Sequence, residues 1–243
     1  AMTIAIHPCD PALRLAPDHF ALGDLAALKF PYTDAVVVSY APGQEVVGEG
    51  DPTENYFLVV RGVFRAVKVT RDGRRQIFAF YMPGDMCGLE PEEFHGLTVE
   101  AVNPGAMATL SRPVCRARMN RDPQFNVAIF ENVTRALTHA VEHMMMVGRS
   151  SAEERLAWFL SMLSARGAGR RSDSIELAMQ RQDIADYLGL TIETVSRTFT
   201  HLKARGLIAL PTTRRIDILR PDLLALLASA DRDAPIRDYR AAC

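Results

Sequence analysis

Glu193, Ser196 and Arg197 follow one another at spacings of three and one. On a helix they project together from the first two turns of one face. A carboxylate, a hydroxyl and a guanidinium so placed form a set that can read base edges. Arg pairs with guanine O6 and N7, Glu accepts from the cytosine amino group, and Ser bonds either strand. Thr191, just ahead, is a good N-cap, and with Thr194 it offers hydroxyls and helix N-terminal amides to a phosphate. Arg181, Gln182, Thr198 and His201, with Thr212 and Arg214 further on, are assigned to the phosphate backbone. The bland alternative for Glu193 and Arg197 is an ordinary i, i+4 ion pair on a solvated helix.

The elements around this trio favour the first reading. Residues 180–206, QRQDIADYLGLTIETVSRTFTHLKARG, meet the constraints of a helix-turn-helix. Small Ala185 lies where two helices must approach closely, and Gly189 lies where the tight turn requires a left-handed backbone. Ile184, Leu188, Leu190 and Val195 fill the apolar places that lock the angle. Ala209 to Leu219 reads as a β-hairpin, a wing with Thr212, Thr213, Arg214 and Arg215 at its tip.

Upstream, short β-rich runs from Val36 to about Arg118 alternate with turn residues and predict a small antiparallel roll. Asp72-Gly73 gives the best hairpin turn in the chain. RPVCRARM is read as the last strand, with Cys115 facing inward. After Pro123 the period changes. Phe130, Val133, Leu137, Ala140, Met144 and Val147 recur at spacings of 3, 4, 3, 4 and 3, with no Pro or Gly before Gly148. Such a heptad seam predicts one long helix that pairs with a second copy of the chain. Ser151 with Glu153 and Glu154 caps a further helix running to about Arg166, and Gly167 to Ser174 reads as a loop. The expected fold is therefore α+β: a β-roll over residues 1–122, a dimerisation helix over 123–148 and a winged helix-turn-helix over 149–243.

Composition narrows the class. The chain has 243 residues, 48% hydrophobic and 23% charged, enough for about two globular domains, which excludes disorder, collagen and a disulfide scaffold. Net charge is −1, yet residues 166–220 carry 10 Lys and Arg against 6 Asp and Glu, a local excess that suits a polyanion. Cys9, Cys87, Cys115 and Cys243 are far apart and show no metal spacing, so four free thiols are expected. No apolar run approaches the roughly 20 residues of a membrane span. The start shows no secretory signal, and Ala1 before Met2 reads as a remnant of expression, which places the protein in the cytoplasm. No nucleophile elbow, phosphate loop or catalytic carboxylate pair is present, so an enzyme is not expected.

A glycine-punctuated β-roll ending in Pro83-Gly84-Asp85, a heptad helix, and a winged helix containing ETVSR resemble the family of the cyclic AMP receptor protein and the fumarate-nitrate reduction regulator. The likeness runs from about residue 30 to 228, and QRQDIADYLGLTIETVSRTFTHL looks most like the FixK subgroup. It implies that Glu193, Ser196 and Arg197 read a TTGA-type half-site within a palindrome. It also implies RNA polymerase as a partner and activation of genes for life at low oxygen or for nitrogen fixation.

The sensor part departs from the family's ligand-binding patterns. Where nucleotide-binding members hold Gly-Glu-Leu for the ribose, this chain has Met86-Cys87-Gly88-Leu89-Glu90. Where the phosphate-binding Arg should stand it has Leu97-Thr98. Without that guanidinium the phosphate loses its charge-assisted partner. A four-cysteine iron-sulfur cluster lacks its N-terminal cysteines. Haem stays open, since His7, His19, His95 and His143 could each offer a nitrogen, although His95, beside Glu92 and Glu93, reads as a surface residue. An unknown small ligand and thiol oxidation also stay open. The favoured expectation is a regulator with no cofactor.

Overall fold

The computed structural model describes residues 35–149, 151–166 and 173–229. They fall into two compact units, residues 1–139 and 140–243, with the change of unit inside the long helix. Cys9, Cys243, His7, His19 and residues 167–172 of the expected loop lie outside the described residues. Among the described residues no helix is long and apolar enough to cross a membrane.

Among its described residues the first unit carries eight strands: β1 (Val36–Tyr40), β2 (Glu45–Val47), β3 (Asn55–Arg61), β4 (Phe64–Val69), β5 (Arg75–Tyr81), β6 (Met86–Cys87), β7 (Thr98–Ala101) and β8 (Gly105–Ser111). They form two antiparallel sheets, ordered β1-β8-β3-β6 and β2-β7-β4-β5. Period-two alternation sorts the side chains of the first sheet onto two cores. Leu58, Val60, Met86, Ala106, Ala108 and Leu110 pack on one side with Cys115 and Phe125. Phe57, Val59, Cys87 and Met107 point the other way and meet Phe64, Ala66, Val99 and Ala101 of the second sheet. Because both faces are covered, β3 reads FLVV without a polar break. Asp72-Gly73 sits at the β4–β5 hairpin, paired from Val69↔Arg75 to Phe64↔Tyr81 with a register shift between Ala66 and Val67.

One element differs from the sequence reading. Residues 112–119, expected as a strand, form a helix, α1 (Arg112–Met119). Pro113 stands in its first turn, where a missing N–H costs nothing and the fixed φ favours the helix. Cys115 is buried as expected, but from a helix face. The long helix follows as α2 (Pro123–Arg149). Its seam is uncovered in the single chain: Phe130 is 71%, Leu137 63% and Met144 68% exposed.

The second unit contains α3 (Ala152–Arg166), β9 (Ser174–Glu176), α4 (Arg181–Leu188), α5 (Ile192–Ala204), β10 (Ile208–Ala209), β11 (Arg215–Ile218) and α6 (Pro221–Ala228). The last turns of α2 also belong to this unit. Ser151 accepts from the Glu154 amide at 3.4 Å while the Glu154 carboxylate accepts from the Ser151 amide at 2.7 Å, so the expected cap of α3 is a reciprocal box. The strands make a small antiparallel sheet, β10-β11-β9, whose outer connection is the expected wing.

Candidate nucleic-acid interface

Helix α5 is held by a core beneath it. Val195, Phe199 and Leu202 are buried on its inner face, with Ile184, Ala185 and Leu188 of α4 opposite. Gly189 joins the two helices with φ +62°, and its N–H donates to the Ala185 carbonyl. Both Ala185 and Gly189 thus occupy the roles their positions predict: close approach and a left-handed turn.

The outer face follows from the same period. Glu193, Ser196 and Arg197 are all exposed on the first turns of α5. Thr191 caps the helix by accepting from the Thr194 amide at 3.2 Å, and the two hydroxyls lie 3.1 Å apart. The Glu193 carboxyl is held below its ordinary range, first by its own backbone amide at the helix start, then by the Thr191 hydroxyl, with Arg197 adding attraction. The trio therefore presents an ionised carboxylate and a guanidinium side by side at the positive end of a helix.

The expected backbone-contacting residues divide. Gln182, Thr191, Thr212 and Arg214 are exposed, and Thr194 is half-buried at the cap. Thr212 orders the wing tip, accepting from the Arg214 amide at 3.2 Å and the Arg215 amide at 2.8 Å. Thr198 departs from the expectation: it is buried, and its hydroxyl donates back to the Thr194 carbonyl at 2.8 Å. The His201 side chain is engaged by Glu153, which also pairs with Arg205 at 2.8 Å. Arg181 is turned inward. Its guanidinium lies 3.4 Å from the Phe199 ring centroid, and Nη2 donates to the Thr213 carbonyl at 3.3 Å. Burial pushes its pKa down to about 10, which still leaves it charged at neutral pH.

Sequence reasoning missed Glu153 as a tether for the far end of α5, and Arg155 and His143 as partners of the helix-turn-helix. Glu153 was visible only as a first-turn acid of α3. Its pairing partners are about fifty residues away, so no local spacing reveals them.

In the β-roll, the segment that replaces the nucleotide-binding pattern is closed by its own side chains. His95, expected at the surface, is 2% exposed, and its Nδ1 meets Glu90 Oε1 at 2.6 Å. The acidic neighbours Glu92 and Glu93 are exposed, while His95 turns in beside Phe57. Arg112, also buried, donates from Nη2 to the Gly88 carbonyl at 2.6 Å and the Glu90 carbonyl at 2.8 Å, with its guanidinium over the Tyr56 ring. Gly88 has φ +76°, and a Cβ there would lie 3.0 Å from the Asn55 carbonyl. Leu97 packs on the inter-sheet core, and Thr98 Oγ1 accepts from the Glu49 amide.

Comparison with known proteins agrees with both halves. Residues 37–122 match the cyclic nucleotide-binding domain, and residues 154–227 match the Crp-like helix-turn-helix domain. The chain is similar to the nitrogen fixation regulation protein FixK of Azorhizobium caulinodans, 42% identical over 180 residues, covering 73% of each chain. It is 40% identical over 194 residues to FixK of Rhizobium meliloti, covering 80% of this chain and 88% of the relative. Among solved structures, FixK2 from Bradyrhizobium japonicum superposes with a TM-score of 0.76 at 36% identity, over 82% of this chain and 99% of that one.

Proposed function

This chain belongs to the Crp/FNR family of transcription regulators, not to a class of enzymes, and we propose that it acts as a FixK-type activator in the cytoplasm. In this reading a homodimer joined along Phe130, Val133, Leu137, Ala140, Met144 and Val147 binds a palindrome of TTGA-type half-sites. It recruits RNA polymerase at genes for nitrogen fixation or life at low oxygen. Glu193, Ser196 and Arg197 read bases, while Gln182, Thr191, Thr194, Thr212 and Arg214 hold phosphates. The observation that carries this is the exposed carboxylate, hydroxyl and guanidinium on the capped first turns of α5. A shift assay tests it: a TTGA palindrome should bind far more tightly than a scrambled duplex of equal length, and equal binding would overturn the reading.

The protein works in this reading without a cyclic nucleotide, an iron-sulfur cluster or another cofactor. Support comes from Arg112, His95 and Glu90, which supply internally the contacts that tie down residues 88–95. A second reading, a regulator of the same fold gated by haem, a gas or a small molecule, has one observation in its favour. His95 Nε2 is buried without a hydrogen-bond partner. Spectra of protein purified without oxygen, and shift assays with no ligand added, separate the two readings.

A further inference from the structure

The turn of the helix-turn-helix is gripped from outside the motif. A helix end leaves its last carbonyls without intrahelical partners, and here the Tyr187 and Leu188 carbonyls of α4 are taken by donors from α2 and α3. His143 of α2 bonds the Tyr187 carbonyl through Nε2 at 2.8 Å. Arg155 of α3 donates from Nη1 to the Leu188 carbonyl at 2.9 Å and toward the Gly189 carbonyl at 3.3 Å. A carbonyl only accepts, so His143 Nε2 carries the proton of this bond. The rings reinforce the grip: His143 stacks on Tyr187 with centroids 4.1 Å apart and planes 5° from parallel, and Trp158 lies beside both at 6.1 and 6.3 Å. Val147 Cγ1 stands 3.5 Å from the place a Gly189 side chain would occupy.

These contacts start from the helix segment that carries the seam. Ala140, Met144 and Val147 lie in the same compact unit as the helix-turn-helix, and His143 projects from the flank of the stripe they form. In a two-fold dimer, a donor fixed to the seam helix and bonded to the carbonyl just before the turn sets where the following helix begins. The separation of two reading helices across a palindrome is then decided at this joint.

We propose that His143 and Arg155 are positioning residues that set the half-site spacing the dimer accepts, without touching DNA themselves. The proposal rests on the dimeric, palindrome-binding reading given above. A base pair added between half-sites moves them by about 3.4 Å and rotates one relative to the other, so only a rigid joint penalises it. A loose joint lets the reading helices follow.

The test is a shift assay with the full-length protein on TTGA palindromes whose centre-to-centre spacing steps by single base pairs around about ten. A duplex with one mutated half-site reports base preference. Wild type should show a sharp optimum, with affinity falling at least about fivefold one base pair to either side. His143→Phe keeps the ring stack but removes the donor, and it should flatten that ratio to about twofold or less while the preference for the intact half-site is unchanged. His143→Gln restores an N–H donor and should recover part of the optimum. Arg155→Met provides an independent arm in case the His143 variants do not fold, and should flatten the profile likewise. The proposal is overturned if the folded variants weaken every duplex alike and retain the wild-type optimum. A wild type with no spacing optimum overturns the dimeric reading, and this inference with it.

Discussion

The winged helix and the β-roll place their polar side chains to opposite ends. In the first, Glu193, Ser196, Arg197, Thr212 and Arg214 all stand in solvent around a buried apolar core. In the second, the segment expected to hold a ligand turns its polar groups inward, with His95 on Glu90 and Arg112 on the Gly88 and Glu90 carbonyls. Polar side chains that stand in solvent can meet a partner that arrives from outside. A segment that pairs most of its polar groups internally, His95 Nε2 and Arg112 Nε excepted, has its conformation held from within. The exposed side chains of the winged helix are open to a partner, whereas residues 88–95 of the roll are tied down by Arg112 and by the His95–Glu90 contact.

The sharpest way to break the contrast is to deny the reading head its second copy. Leu137→Glu with Met144→Glu puts two charges into an apolar seam, where each costs several kcal/mol on burial. Sedimentation should show monomers, and binding to a palindrome should fall to that of a single half-site. A double variant that remains dimeric would mean the seam is misassigned.

Arg112→Met tests the roll. It removes two hydrogen bonds from a charged donor, so stability should drop by about 2–4 kcal/mol in denaturant melts, while the base preference of the remaining folded protein stays as in wild type. A change in which half-site is preferred would show that the two regions are not separate in role.

Arg197→Ala should cost roughly 1–3 kcal/mol per half-site and relax the preference at one guanine position. Lys203→Ala, which removes an exposed charge further along α5, should weaken all sequences alike. Equal loss of specificity in both would erase the division between reading and holding.

Smaller effects come from titration and oxidation. Burial holds the His143 imidazole below its ordinary range, with the Tyr187 carbonyl acting the other way. The folded state thus binds this proton less readily than the unfolded chain. Its stabilising contribution is complete above about pH 6.5 and is lost as pH falls below that. Neighbouring Glu142, raised by burial, contributes in the opposite sense in a more acidic window. Melting midpoints taken down from pH 7 should fall more for wild type than for His143→Gln. Burial pushes the Cys87 and Cys115 thiols up, so little thiolate is available to mild peroxide, and DNA binding should be unchanged. Peroxide-sensitive binding restored by a reductant would contradict this, and Cys-to-Ser variants at 9, 87, 115 and 243 would then locate the sensor.

What could be read from residues alone was whatever local spacing encodes. The α2 helix, the Ala185 and Gly189 places, the Thr191 cap and the wing hairpin each depend on neighbours within a few positions, and each is found where expected. Residues 112–119 misled because a short run with alternating apolar residues suits either a strand or one face of a two-turn helix; Pro113 was the better signal. His95 and Thr198 misled for another reason. Their burial is decided by partners distant in sequence or by helix phase, and a polar residue type only lowers the odds of burial. The grip of His143 and Arg155 on the turn spans 44 and 33 residues, beyond any motif.

Trp158 is the chain's one tryptophan, and it lies beside the His143 and Tyr187 rings. The molecule therefore carries a built-in optical probe at the joint between its seam helix and its reading head. Emission from this single indole reports on that joint alone, with no label attached. Its intensity and wavelength, followed while operator DNA is added, would register in real time whether the joint tightens, loosens or stays still as the two half-sites are engaged.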